Sequence, residues 1–291
     1  MQQYRDTDYA AVSAALHARE AKLLTQAMAE RMIDAATPEE SYKTLLECGY
    51  APLERCTLEN VEHALSQARR ELYREVSVLA PDKRIVELFQ VKYDYHNAKL
   101  ALKSKRSGED VSRLAMDCGR VDAQKVLRGE TSAVSAAMSR AMEQAEKEAG
   151  HSGDLRMAEL LLDRACYEEM SALASETGST FLKDYVALQI DAINLRTLVR
   201  AQRMGCEDDV LAAAMLPGGH IPADQLRGAR GDHLSSLTHG TPLDSAGELA
   251  AKLLDSGGGL TEFERACDDA LMSYLQLSLI HISEPTRQAE I

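Results

Sequence analysis

The feature that most constrains this chain is an internal repeat. Residues 93–108, YDYHNAKLALKSKRSG, align with residues 190–205, IDAINLRTLVRAQRMG, at an offset of 97 (position 93 against 190). Both segments read D-x-x-N-x-[KR]-x-x-[LV]-[KR]-x-x-R-x-G. After a slip of two residues the match continues at an offset of 99. Asp110-Val111 then meets Asp209-Val210, Met116 meets Met215, Gly119 meets Gly218, and Leu127-Arg128-Gly129 meets Leu226-Arg227-Gly228. Arg164-Ala165-Cys166 recurs as Arg265-Ala266-Cys267, which marks the opening of a further copy. Self-similarity at a fixed period means one supersecondary unit built repeatedly. The repeat therefore predicts a first helical unit with an N-terminal helix over 1–130, a second over 131–230, and the start of a third over 231–276.

The units are expected to be helical. Apolar residues recur at three-and-four spacing, as in Leu58, Val61, Ala64, Leu65, Ala68 and Leu72, and no segment alternates with a period of two. Composition points the same way: no Trp, 3 Phe and 7 Pro among 291 residues favour Ala- and Leu-rich helices over strands. Thr37-Pro38-Glu39-Glu40 supplies an N-cap, a first-turn proline and a capping-box glutamate, and Thr57 and Thr261 can cap in the same way. These signals predict an all-α chain with helices near 8–35, 38–47, 58–79, 82–106, 131–149, 154–175, 179–204, 243–254 and 261–276. Shorter turns are expected at 109–117, 121–127, 207–214 and 222–227. Gly108, Gly150 to Gly153, Pro217-Gly218-Gly219 and Ser256 to Gly259 fall in the loops.

Helical spacing turns the repeated motif into two stripes. Asp94, Asn97, Ala98, Ala101 and Leu102 share one face, and Asp191, Asn194, Leu195, Leu198 and Val199 form its counterpart. A carboxylate and an amide among aliphatics are stable only if hydrogen-bonded to each other or to a neighbouring helix terminus. With no second acid, His or metal-ligand set beside both copies, Asp94, Asn97, Asp191 and Asn194 read as a structural polar lock rather than a catalytic pair. Lys99, Lys103 and Arg106 match Arg196, Arg200 and Arg203 on the opposite side. They either complement the helix C-terminal dipole or form a partner interface facing acidic protein or lipid headgroups.

Other functions leave no trace. A formal charge of −13, from 46 acidic and 33 basic side chains, repels a phosphate backbone and argues against nucleic acid. The six cysteines, Cys48, Cys56, Cys118, Cys166, Cys206 and Cys267, include no CxxC pair and read as small core hydrophobes of a reducing compartment. The sequence contains no phosphate loop, no GxGxxG, no HExxH and no GxSxG. Asp208-Asp209 and Asp268-Asp269 read as solvated or capping acids, and His220 as a lone loop histidine, so no catalytic residue, cofactor or metal is expected. The N-terminal segment is too charged for a signal peptide, and no apolar run approaches the ~20 residues of a spanning helix. A soluble, cytoplasmic protein is expected, which a membrane complex can still recruit.

The succession REAKLLTQAM, KYDYHNAKLALKSK and FLKDYVALQIDAINLRTLVRA resembles the C-type subunits (d in the vacuolar enzyme) of V/A-type rotary ATPases over essentially all of residues 1–276. That resemblance implies three similar helical units about a pseudo-threefold axis, funnel-like, with the third incomplete here. It implies a non-catalytic central-stalk subunit, one copy per complex, on the cytoplasmic side of the cell membrane. Its partners would be the central rotor shaft and the membrane proteolipid ring, and it would transmit torque between ATP chemistry and proton or sodium movement. The alternative is a generic helical-repeat adaptor with other partners. Finally, LSLIHISEPTR at 277–287 resembles a translated transposase end and sequencing adapter, so 277–291 is expected to be non-native. Cys166 precedes Asp191 by 25 positions, and Cys267 accordingly places a third such aspartate at 292, one past the end.

Overall fold

The computed structural model describes residue 4 and residues 6–283, and among these the chain is all-helical with no strand. It divides into two compact units between Ala133 and Val134. The first holds α1 (Ala10–Glu20), α2 (Gln26–Ile33), α3 (Pro38–Glu47), α4 (Leu58–Leu79), α5 (Lys83–Ser107) and α6 (Ala123–Leu127). The second holds α7 (Ala136–Ser152), α8 (Leu155–Thr177), α9 (Thr180–Met204), α10 (Asp208–Ala214), α11 (Ala223–Gly228), α12 (Gly231–Thr238), α13 (Asp244–Ser256) and α14 (Thr261–Ser283).

Local chemistry sets these boundaries. Thr37 Oγ1 accepts from Glu40 N at 3.2 Å, forming the expected cap, while Glu40 Oε2 accepts from Ala36 N at 3.1 Å, so the glutamate reaches the residue before the cap rather than closing a capping box on Thr37 N. Thr57 Oγ1 accepts from Asn60 N at 3.2 Å and starts α4. Both α5 and α9 run 25 residues and stop at a left-handed glycine, Gly108 (φ 73°) and Gly205 (φ 65°), a conformation that costs other residues a Cβ clash.

Several expectations are corrected. The single helix expected over 8–35 breaks at 21–25, because Thr25 caps a new helix by accepting from Met28 N at 3.3 Å. Thr261 is the first residue of α14 rather than its cap; Leu260 precedes it and its carbonyl accepts from Glu264 N. α14 continues to Ser283 rather than 276, since no proline interrupts the chain before Pro285. The remainder of the adapter-like tail, 284–291, lies outside the described residues. α12 has no counterpart among the expected helices: it begins on a glycine, and tertiary packing carries it. Leu234 and Thr238 are fully buried against α13, where Gly247 leaves room for Thr238 that any Cβ would occupy.

Packing differs between the units. In the second, α9 is the central rod, with α8, α13 and α14 laid against it and Leu195, Leu198, Leu234 and Phe263 fully enclosed. Each such side chain contributes about 1.5–3 kcal/mol by leaving water. α8 buries Ala158, Leu162, Cys166 and Met170, whereas α4 fully buries only Ala64. The apolar stripe expected to pack from α4 is thus largely open, with Leu58 at 78% exposure and Leu65 and Leu72 also exposed. Cys118, Cys166 and Cys267 are buried, and burial pushes the Cys267 thiol up to about 11, as suits a core hydrophobe. Cys48, Cys56 and Cys206 are only half-buried.

Candidate functional site

The repeated Asp and Asn side chains lie at the centre of α5 and α9, and all four are buried: Asp94, Asn97 and Asn194 at 0% exposure and Asp191 at 2%. They do not bond to one another. Each pair grips the backbone of the loop that returns along its own helix.

In the first unit Asn97 Nδ2 donates to the Met116 carbonyl and Asn97 Oδ1 accepts from Met116 N, both at 2.9 Å. Asp94 Oδ1 accepts from Val121 N at 3.3 Å, and Arg120 Nε donates to Asp94 Oδ2 at 2.7 Å. In the second unit Asn194 makes the same two-way bond with Leu216, both at 2.8 Å. Asp191 accepts from Ile221 N at 3.1 Å and from His220 N at 3.0 Å. A peptide group offers one donor and one acceptor, and a carboxamide is the side chain that satisfies both at once. The motif is therefore a clamp that spares a buried loop its unpaired backbone groups.

The clamp also explains two glycines. A Cβ on Gly119 would collide with Asp94 Oδ1, and a Cβ on Gly219 with Asp191 Oδ1, so the carboxylate and the loop approach only where no side chain intervenes. These contacts fix the true register of the repeat. Met116 corresponds to Leu216, Gly119 to Gly219 and Val121 to Ile221, an offset of 100 where matching residue names suggested 99. The identities Met116–Met215 and Gly119–Gly218 mislead because the clamp reads backbone position and not side chain. For the same reason Arg120 and His220, which occupy one position in the two clamps, went unpaired in the sequence comparison. The signal that could have found them is the glycine each follows.

Electrostatics separates the carboxylates from ordinary surface acids. Burial raises the Asp94 pKa, opposed by the hydrogen bond and charge of Arg120. Burial likewise raises the Asp191 pKa, opposed by the Ile221 and His220 amides and the His220 ring, whose Nδ1 lies 3.3 Å from Asp191 Oδ2 and whose Nε2 lies 3.5 Å from Asp184 Oδ1.

The two basic rows are treated differently. Lys99 is half-buried, and Lys103, Arg106, Arg200 and Arg203 are exposed. Arg196 and Arg200 face α14: Arg196 donates to Asp268 Oδ1 at 2.5 Å and to the Glu264 carbonyl at 3.0 Å, and Arg200 donates to Glu264 Oε1 at 2.6 Å. Arg196 Nε lies 2.8 Å from Glu264 Oε2 without hydrogen-bonding geometry, and the contact is one of charge. The acidic partner of these two arginines is thus a helix of the same chain. Asp268 is solvated as expected, its side chain 68% exposed, and is also part of that network. Asp269 lies 3.5 Å from Arg265, and Asp209 accepts from Val210 N. Among the described residues no group of His, Cys, Asp or Glu is placed to hold a metal, and no helix is long and apolar enough to cross a membrane.

Long paired helices, each returning its loop to an internal Asp/Asn clamp, define a repeat-built helical protein, and comparison with known proteins says of which kind. The profile of the ATP synthase (C/AC39) subunit family matches residues 12–282, and the chain belongs to that family. It is 21% identical to the C subunit of the V-type sodium ATPase of Enterococcus hirae, over 93% of this chain and 84% of that protein. It is 27% identical to the C subunit of the V-type ATP synthase of Thermus thermophilus, over 86% of this chain and 81% of that protein. Against the C subunit of the A-type ATP synthase of Desulfurococcus, identity is 24% over 77% of this chain and 65% of that protein. The chain is accordingly a non-catalytic subunit of the ATP-synthase class.

Proposed function

We propose that this chain is a spacer in the central stalk of a V/A-type rotary ATPase, between the rotor shaft and the membrane proteolipid ring on the cytoplasmic side. One copy per complex would carry torque between ATP chemistry and the movement of protons or sodium. The observation that carries the reading, beside family membership, is the doubled clamp. A part that transmits torque must resist shear between its long helices and the loops at their ends, and a buried two-way amide bond in each unit supplies that stiffness. α12 to α14 are read as the start of a third unit, since Cys166 on α8 and Cys267 on α14 are both buried and both helices pack against α9.

Reconstitution with separately purified shaft subunits and proteolipid ring tests this role. The chain is expected to associate with both, and charge reversal at Lys103, Arg106 and Arg203 to weaken one association with a marked salt dependence. Failure to bind either partner would leave the helical-repeat adaptor as the better description.

A further inference from the structure

One cleft of the first unit is unlike its repeat. It lies between α4, the start of α5 and the clamped loop, with a volume of about 380 Å³, and Arg70, Arg74, Lys83 and Arg120 are among its lining residues. The lining also includes Ser77 and Tyr73, with Glu87 and Asp117 as its acids. Arg70 is matched by Asp117 at 3.1 Å and Arg120 by Asp94 at 2.7 Å. Arg74 and Lys83 form no ion pair with any described residue. In a chain with net charge −13, two cations without an ion pair lining one hollow, against the single unpaired acid Glu87, call for an explanation.

The repeat shows that the fold does not require them. α4 and α8 superpose in sequence at the same offset of 97 as α5 and α9 (Leu58 on Leu155, Lys83 on Thr180). At that offset Arg70 becomes Tyr167, Arg74 becomes Ser171 and Lys83 becomes Thr180, and in the loop Arg120 becomes His220. Glu87, by contrast, keeps its charge as Asp184. The second unit builds the same helix pair and the same clamp without one permanent cation at these positions. At these positions the permanent cations are particular to the first unit, while the second places Arg164 and Arg227 in a different hollow.

We propose that this cleft binds a phosphate-bearing anion. Guanidinium forks and an ammonium recognise the several oxygens of a phosphate at once, and a concave site holds them there better than a flat surface does. The walls are preorganised. Gln90 Nε2 donates to the carbonyls of Cys118 and Gly119, both at 3.2 Å, and the Asp94 clamp fixes Arg120 from below, so binding need not order the loop. Ser77 adds a neutral hydroxyl, and Glu87 sets an upper limit on affinity by repelling the same ligand.

The chemistry fits a free polyphosphate or a phospholipid headgroup, and two arms separate them. Calorimetric titration of the full chain with tripolyphosphate reads the first; co-flotation with phosphatidylcholine vesicles, with and without phosphatidic acid, reads the second. Saturable binding in either arm, weakened about tenfold or more in the Arg74→Gln/Lys83→Gln double variant, supports the site. Both residues are exposed and form no ion pair with any described residue, so the variant should fold, as circular dichroism checks. Glu87→Gln is expected to tighten binding. Absence of saturable binding in both arms, unchanged binding in the double variant, or weaker binding in Glu87→Gln would each overturn the proposal.

Discussion

In the first unit the carboxylate beneath the loop meets Arg120, whose Nε lies 2.7 Å from Asp94 Oδ2; in the second the same position holds His220, whose ring Nδ1 lies 3.3 Å from Asp191 Oδ2. The asparagine bonds of the two clamps are otherwise the same pair of atoms on the same peptide position. Two backbone amides serve each carboxylate, and beyond them one clamp balances its buried charge with a guanidinium that is 17% exposed, the other with a half-exposed imidazole. The backbone grip is what both copies share, and the neighbour of the carboxylate is what each supplies for itself.

The largest expected effect attacks what is shared. Asn194→Leu orphans both the N–H and the carbonyl of Leu216 and should cost about 2–4 kcal/mol of unfolding free energy, with Asn97→Leu close to it. A denaturant titration in which one variant is severe and the other harmless would break the equivalence of the clamps. Gly219→Ala and Gly119→Ala follow, at about 1–3 kcal/mol each, because the new methyl group must displace the carboxylate oxygen it meets. Unchanged midpoints there would mean that the loop yields easily.

Smaller effects sharpen the difference. Arg120→Ala should cost about 1–3 kcal/mol by removing a largely enclosed guanidinium from a buried carboxylate, and His220→Ala less than about 1, since its imidazole is half-exposed. The reverse order in thermal melts would show that the imidazole matters more than its exposure suggests. The smallest effect is in pH. Because burial raises the Asp94 pKa, the cost of its charge is present above that raised value and is relieved as pH falls through it toward the ordinary carboxylate range. The deficit of Arg120→Ala should therefore shrink on mild acidification. Asp82, whose pKa the Arg84 hydrogen bond lowers, behaves oppositely: its contribution is present above the ordinary value and lost as pH falls through the lowered one. A deficit that grows as pH falls would contradict the charge assignment at Asp94.

Much of this was legible in the sequence where side chains carry the information. Thr37 and Thr57 announced two helix starts, and the bounds of α3 and α4 follow the apolar spacing directly. The Asp/Asn rows stood out because they recur in register. What they hold did not, since Met116 and Leu216 are gripped by their peptide groups, which every residue has. Helix α12 was hidden because Gly231 and its polar neighbours have weak helical preference, and only burial of Leu234 and Thr238 makes them helical. The α14 partners of Arg196 and Arg200 were out of reach for a further reason: a contact between residues 64 to 72 positions apart depends on how helices pack, which local spacing does not encode.

The clamps also bear on the order in which the molecule takes shape. Their bonds join residues only 19 to 30 positions apart, so the entropy lost in closing each loop is small and the closure is fast. Val121 is the last residue that the first clamp needs, and α7 begins at Ala136. During synthesis the first unit can lock its own returning loop before the second has left the ribosome, and an error in the later helices need not undo it.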